Sequence, residues 1–294
     1  MTPQLSAAQT RARLVAQFFH VEKLPVFSRA GLRADELAGI SARLADASSA
    51  DLADMASLLA DEASAAASQL LAVPDFAAAL RALPFDSGEV VVALGDSITD
   101  DAVSWAHLLQ RVLSEVDPTI VVRNHGITGN TTGEVLHRLD TIARDRPHWV
   151  IQMIGTNDAR RHGGIAAMTT SPQETARNLR LIDTFVAEEL GAAHIRMTPP
   201  PTIDARVRAW APFAGEGITW HADDVSAVAD IVRADDPAAV DIHAVFTREG
   251  AERLLLADGV HPNLEGQKRI LRALVESISS SPSHNSSTRQ RGHS

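Results

Sequence analysis

From Gly88 onward, short apolar runs alternate with amphipathic helical stretches, and this alternation limits the fold more than any other feature of the chain. Runs at 90–94, 120–123, 149–154, 194–198 and 240–242 read as strands. Helical patterns follow from about Asp101, Thr132, Pro172, Asp223 and Asn263. Strands separated by helices favour a parallel sheet with helices on both faces. Right-handed crossovers then bring every strand's C-terminal end to one edge. Ligands of such open sheets bind beyond that edge, so functional residues are sought in the loops there.

Before about Phe85 there is no convincing strand. Leu37, Ile40 and Leu44 fall at helical spacing, and Leu52, Met55 and Leu59 repeat it on a further helix. Ser48 and Ser49, ahead of Asp51, are the candidate caps. The segment reads as a helical layer packed on the strand-and-helix region, the alternative being a partner-binding or dimerising module. A homo-oligomer through these helices stays open. The expected organisation is an N-terminal helical segment at 1–87, an α/β domain at 88–278 and a disordered tail at 279–294, which is serine-rich and lacks apolar periodicity.

Of the 294 residues 45% are hydrophobic, enough for a sizeable core. The net charge of −10 argues against non-specific binding to nucleic acid. No apolar run reaches the roughly 18 residues of a membrane span, so stable membrane insertion is not expected. Residues 1–15 lack a signal-peptide pattern, and a cytoplasmic location is expected. The sequence contains no cysteine, which excludes disulfides, thiolate metal sites and cysteine nucleophiles. The 12 histidines form no cluster with metal-ligand spacing, although His243 and His261 could meet in space; no metal and no cofactor is expected.

Four loops at the expected edge carry chemistry. Residues 90–94 run into Gly95-Asp96-Ser97-Ile98-Thr99, where the glycine permits a tight turn. Ser97 then stands between a strand end and a helix start, with its N–H free to face a site. A serine hydroxyl is a poor nucleophile without a base; lacking one, it reads as an N-cap. Asp258-Gly259-Val260-His261-Pro262-Asn263 precedes the last helical stretch. An aspartate three residues before a histidine can fold back, fix the ring tautomer and stabilise an imidazolium. The competing reading is a loop histidine beside a turn aspartate. Gly155-Thr156-Asn157-Asp158 follows the third strand: Asn157 could donate its amide to an oxyanion, or the block could be a turn. Gly126 and Gly129 follow the second strand, and either N–H could be a further donor. Nucleophile, base, orienter and oxyanion donors together are what acyl transfer requires.

Taken in chain order, the four blocks resemble those of the GDSL, or SGNH, hydrolase family over roughly residues 89–278. The resemblance implies a flavodoxin-like three-layer fold with five parallel strands. It makes Ser97 the nucleophile and an oxyanion donor, His261 the base, Asp258 its partner and Asn157 an amide donor. Gly129 is the second-block donor, with Gly126 as the rival. The nucleophile block continues Ser-Ile-Thr where the family commonly has Ser-Leu, and the segment before Gly88 is longer than a minimal member needs.

Asp96 and Arg160 are candidate substrate contacts. Trp210, Phe213 and Trp220 concentrate aromatic surface in one long loop, either as an apolar wall over the acyl group or as a cover for the core. The expected activity is hydrolysis of small-molecule carboxylic esters with small or medium acyl groups, acetyl on a carbohydrate among them. An acyltransferase with the same residues and a non-catalytic binding protein are the alternatives.

Overall fold

The computed structural model describes residues 5–164 and 167–280. Four parallel strands form the sheet: β1 (Val90–Gly95), β2 (Val121–Gly126), β3 (Trp149–Met153) and β4 (Ala193–Met197), in the spatial order β2-β1-β3-β4. The register aligns Gly95 with Gly126 on one side and with Met153 on the other, so the loops after β1, β2 and β3 leave from one level. Successive side chains of a strand point to opposite faces, and the core divides accordingly. Val91, Ala93, Trp149 and Ile151 join one cluster, while Val92, Leu94 and Val150 join the other.

Helix starts follow local capping chemistry. Ser104 caps Trp105–Val116 by accepting from the His107 N–H, and Ser171 caps Pro172–Thr184, whose proline occupies the first turn where no donor is needed. The expected helix from Asp101 begins in two steps, as a single turn at Ser97–Asp100 and then as Trp105–Val116.

The fifth expected strand does not form. Val240 makes only an isolated parallel bridge to Met197, with Val240 N–H on the Arg196 carbonyl at 2.8 Å. The cause is local: Asp241 caps the helix Ile242–Glu249 through the Ala244 N–H, so the chain turns out of the sheet one residue after reaching it. The Val240 carbonyl also accepts from the Thr198 N–H at 3.1 Å, and the helix cap outcompetes any ladder bond beyond these two.

Residues before β1 are helical among those described. The long helix Ser49–Leu71 is capped by Ser48 in a reciprocal box with Asp51. Its buried face, including Met55, Leu59 and Leu70, belongs largely to the cluster that covers one face of the sheet. The helix Ala34–Ala45 differs from expectation: Leu44 is 58% exposed and only Ala45 is buried. Its apolar spacing marks a face, but that face lies at the rim of the layer. The last helix, Leu264–Ser280, includes the first two residues of the expected tail; the remainder, 281–294, lies outside the described residues. No single helix among the described residues is long and apolar enough to cross a membrane.

Candidate active site

The apolar run of β1 ends at Gly95, where any side chain would collide: a Cβ would stand 2.2 Å from Thr99 Oγ1 and 2.6 Å from the Met153 carbonyl. Only glycine lets the chain turn there. Asp96 then caps the following turn by accepting from the Ile98 N–H at 3.0 Å, and Ser97 opens that turn. The Ser97 N–H has no hydrogen-bond partner among the described residues.

The histidine loop is held at both ends. Leu256 N–H donates to the His261 carbonyl at 2.8 Å, and Asn263 caps the final helix through the Gly266 N–H. Within it, Asp258 Oδ1 accepts from the N–H groups of Val260 and His261 at 2.8 and 3.0 Å. These two bonds leave Oδ2 free to meet His261 Nδ1 at 2.7 Å. The opposite ring nitrogen, Nε2, lies 2.8 Å from Ser97 Oγ. Hydroxyl, imidazole and carboxylate thus form one hydrogen-bonded chain. Burial alone would pull the His261 pKa down, but the adjacent Asp258 charge and hydrogen bond leave it raised above its ordinary value. Burial likewise opposes Asp258 ionisation, yet the His261 charge and the hydrogen bonds it accepts hold its pKa below the usual carboxylate value.

Asn157 Nδ2 donates one hydrogen to the Asn130 carbonyl at 3.1 Å. That bond fixes the side chain and leaves the second amide hydrogen available. Gly129, at φ 84°, occupies the left-handed region, and its N–H has no partner among the described residues. The Gly126 N–H, by contrast, is taken by Asn124 Oδ1 at 2.8 Å. Of the two glycines, Gly129 alone has a donor to spare.

The other sequence candidates distribute unevenly. Asp96 is 1% exposed and one of its oxygens caps the turn that Ser97 opens. Burial pushes its pKa up to about 6. The Arg160 guanidinium lies 4.0 Å from where a side chain at Gly129 would begin, beside the donor loop. Trp220 is buried and donates to the Thr156 carbonyl at 2.9 Å, with Phe213 packed on it at a ring separation of 5.0 Å. Their cluster includes Val260, the neighbour of His261, so this aromatic group covers the core and flanks the histidine loop at once. Trp210 is half-buried at the start of the helix Ala211–Glu216.

Two residues that bind the site together carried no functional signal in the sequence. Asp158, read there as a turn former, is fully buried and accepts from Thr132 N–H at 2.9 Å and from the hydroxyls of Thr132 and Thr175 at 2.5 and 3.0 Å. It therefore ties the Asn157 loop to the helix Thr132–Leu136 that follows Asn130. Arg138, also buried, donates to Asn130 Oδ1 at 2.7 Å and to the Gly95 carbonyl at 3.2 Å. It links the serine turn to the Asn130 loop. A lone arginine on a short amphipathic stretch reads as solvated, and only the tertiary fold brings it inside.

The GDSL-like lipase/acylhydrolase family model matches residues 93–269, a span that contains every group of this hydrogen-bonded chain. The chain belongs to that family. GDSL-family membership makes it a carboxylic ester hydrolase. It is 25% identical to Esterase TesA of Pseudomonas aeruginosa over 191 residues, covering 63% of this chain and 85% of the relative. Among solved structures, a variant of the acetyl xylan esterase Axe2 from Geobacillus stearothermophilus superposes with a TM-score of 0.53 at 25% identity, covering 67% of this chain and 97% of the other. The alpha/beta hydrolase LAE5, from the metagenome of Lake Arreo in Spain, superposes at 0.52 with 23% identity over 67% and 97% of the two chains, a likeness of fold. The GDSL-family match begins inside β1, so the helices before it fall outside the matched span.

Proposed function

We propose that this GDSL-family protein cleaves small acyl esters through an acyl-enzyme on Ser97, with His261 as general base and Asp258 as its orienter. The observation that carries the reading is the continuous chain from Ser97 Oγ through His261 to Asp258, at 2.8 and 2.7 Å. Asp258 on Nδ1 selects the tautomer whose Nε2 is unprotonated, so Nε2 accepts the Ser97 proton as Oγ attacks the carbonyl carbon. The carbonyl oxygen becomes negative. The free N–H groups of Ser97 and Gly129 and the second amide hydrogen of Asn157 are the donors proposed for it. Collapse breaks the ester C–O bond, and the proton on Nε2 passes to the departing alcohol. Water then repeats the sequence and releases the acid.

Two observations favour a short acyl group such as acetyl, with a sugar as the alcohol. Ser97 is only 6% exposed and Asn157 5%, leaving little open surface around the reacting atoms. The 25%-identical structural relative is an acetyl xylan esterase. Hydrolysis of p-nitrophenyl acetate and of acetylated xylo-oligosaccharides, beside butyrate and octanoate esters, tests the range. Ser97→Ala is expected to lower kcat by several powers of ten with an unchanged melting temperature. Retention of turnover by Ser97→Ala would remove the proposed nucleophile.

A further inference from the structure

The stretch from Gln17 to Lys23 joins the first helix, Ala7–Phe18, to the turn Val21–Lys23, far ahead of the family match. It nevertheless reaches both halves of the site. The Phe18 ring lies 4.8 Å from the His261 imidazole, centroid to centroid, at an interplanar angle of 45°. Phe18 is 7% exposed, so it is packed there and not left in solvent. Its carbonyl accepts from the Thr128 hydroxyl, and the Gln17 carbonyl accepts from the Ala102 N–H at 2.9 Å. The Gln17 carboxamide donates to both oxygens of buried Asp101, at 3.1 and 3.0 Å.

A second tether runs through Asp100. Lys23 Nζ and His20 Nδ1 meet its Oδ1 at 2.6 and 2.9 Å. Its Oδ2 accepts from the Thr128 N–H at 3.0 Å. Asp100 therefore stands between this stretch and the residue just before Gly129. Buried polar contacts cost desolvation and hold geometry only when they are satisfied together. A layer that served only to cover apolar surface would need none of them.

The Asp258 bond fixes one edge of the His261 ring but leaves it free to tilt about that bond. The inclined Phe18 contact opposes that tilt, and aromatic rings favour such packing. We infer that residues 17–23 are a positioning strap for the active site. Phe18 keeps the His261 ring in line with Ser97, and Lys23 with His20 steadies the Thr128–Gly129 loop through Asp100. This inference rests on the assignment of Ser97, His261 and Gly129 above. Phe18 and Lys23 are positioning residues, since they touch the base and the loop support, not substrate.

The test uses full-length Phe18→Ala, Phe18→Leu and Lys23→Met, assayed on p-nitrophenyl acetate well below each melting temperature. Misplacing a reacting group by about 1 Å can cost on the order of 100-fold. Phe18→Ala is therefore expected to lower kcat about 10- to 100-fold with KM changed less than about threefold. Phe18→Leu, which keeps a large apolar side chain but loses the ring, falls between Phe18→Ala and wild type. Lys23→Met lowers kcat severalfold. A Phe18→Ala protein with wild-type kcat and only a lower melting temperature would reduce the contact to packing and overturn the inference. If Phe18→Ala does not fold, wild-type kcat in Phe18→Leu overturns it, and a lowered kcat at constant KM supports it. Failure of the underlying assignment is distinct: Ser97→Ala would then retain the wild-type turnover.

Discussion

Asp258→Asn is the sharpest perturbation of the proposed machinery, because the geometry dictates which way the new amide faces. Oδ1 accepts two backbone N–H groups, from Val260 and His261, while Oδ2 faces His261 Nδ1. An asparagine has one oxygen for these roles. Turning its NH₂ toward the backbone would lose two hydrogen bonds, each worth about 1 kcal/mol net. The favoured orientation keeps the oxygen on the backbone and directs the NH₂ at Nδ1, which forces the ring proton onto Nε2. That tautomer cannot accept the Ser97 proton. A preference of about 2 kcal/mol leaves roughly one molecule in 30 with the competent tautomer, at 1.36 kcal/mol per decade. Losing the charge-assisted bond to the imidazolium removes about a further 2 kcal/mol, or another factor of about 30. Together kcat/KM should fall about 10³-fold, with the melting temperature nearly unchanged. Steady-state hydrolysis of p-nitrophenyl acetate beside a thermal melt measures both. A loss smaller than about tenfold in a folded protein would refute the orientation argument and the role of Asp258 with it.

The acid limb of kcat/KM should have its midpoint above about 6.5, the ordinary value for histidine, because His261 is raised and is active only when neutral. The lowered Asp258 stays ionised throughout, so activity lost as pH falls tracks imidazole protonation; a midpoint near 4 in a pH–rate profile would point to a carboxylate instead. Asn157→Ala should lower kcat about 10²- to 10³-fold with a smaller change in KM, since an oxyanion donor acts where charge develops; a mutant altered in KM alone would limit Asn157 to ground-state binding. Leu70→Ala, at a fully buried position in the cluster shared with the sheet, should cost about 3 kcal/mol and lower the melting temperature by roughly 6–12 °C; an unchanged melt would mean that the N-terminal layer contributes nothing to the α/β core.

Local pattern made the four strands and the hydrogen-bonded chain of the proposed site readable. Val90 to Leu94 is an uninterrupted β-branched and apolar run, and a strand buried on both faces looks like this whatever surrounds it. The Asp258 to His261 spacing is equally local, three residues on one turn. Features set by competition or distance were not readable. Residues 240–242 are apolar enough for a strand, but Asp241 commits its side chain to a helix cap and the chain leaves the sheet. Leu44 has the spacing of a buried face, yet nothing in the periodicity tells which helix will cover it. Phe18 and Gln17 belong to no motif, because their partners lie on elements brought near only by the complete fold. Arg138 is hidden for the same reason.

The partners Ser97 and His261 are separated by 164 residues, and His261 sits in the loop just before the final helix. A ribosome makes the chain from its N-terminus at about 5–20 residues per second. Ser97 therefore emerges well before the imidazole of its proposed base, and Phe18 before either. A nascent chain has the serine turn without its proposed base until the 258–263 loop has left the exit tunnel. With Ser97 as the proposed nucleophile and His261 as its proposed base, a chain stopped before residue 258 is expected to show no ester cleavage in a translating extract.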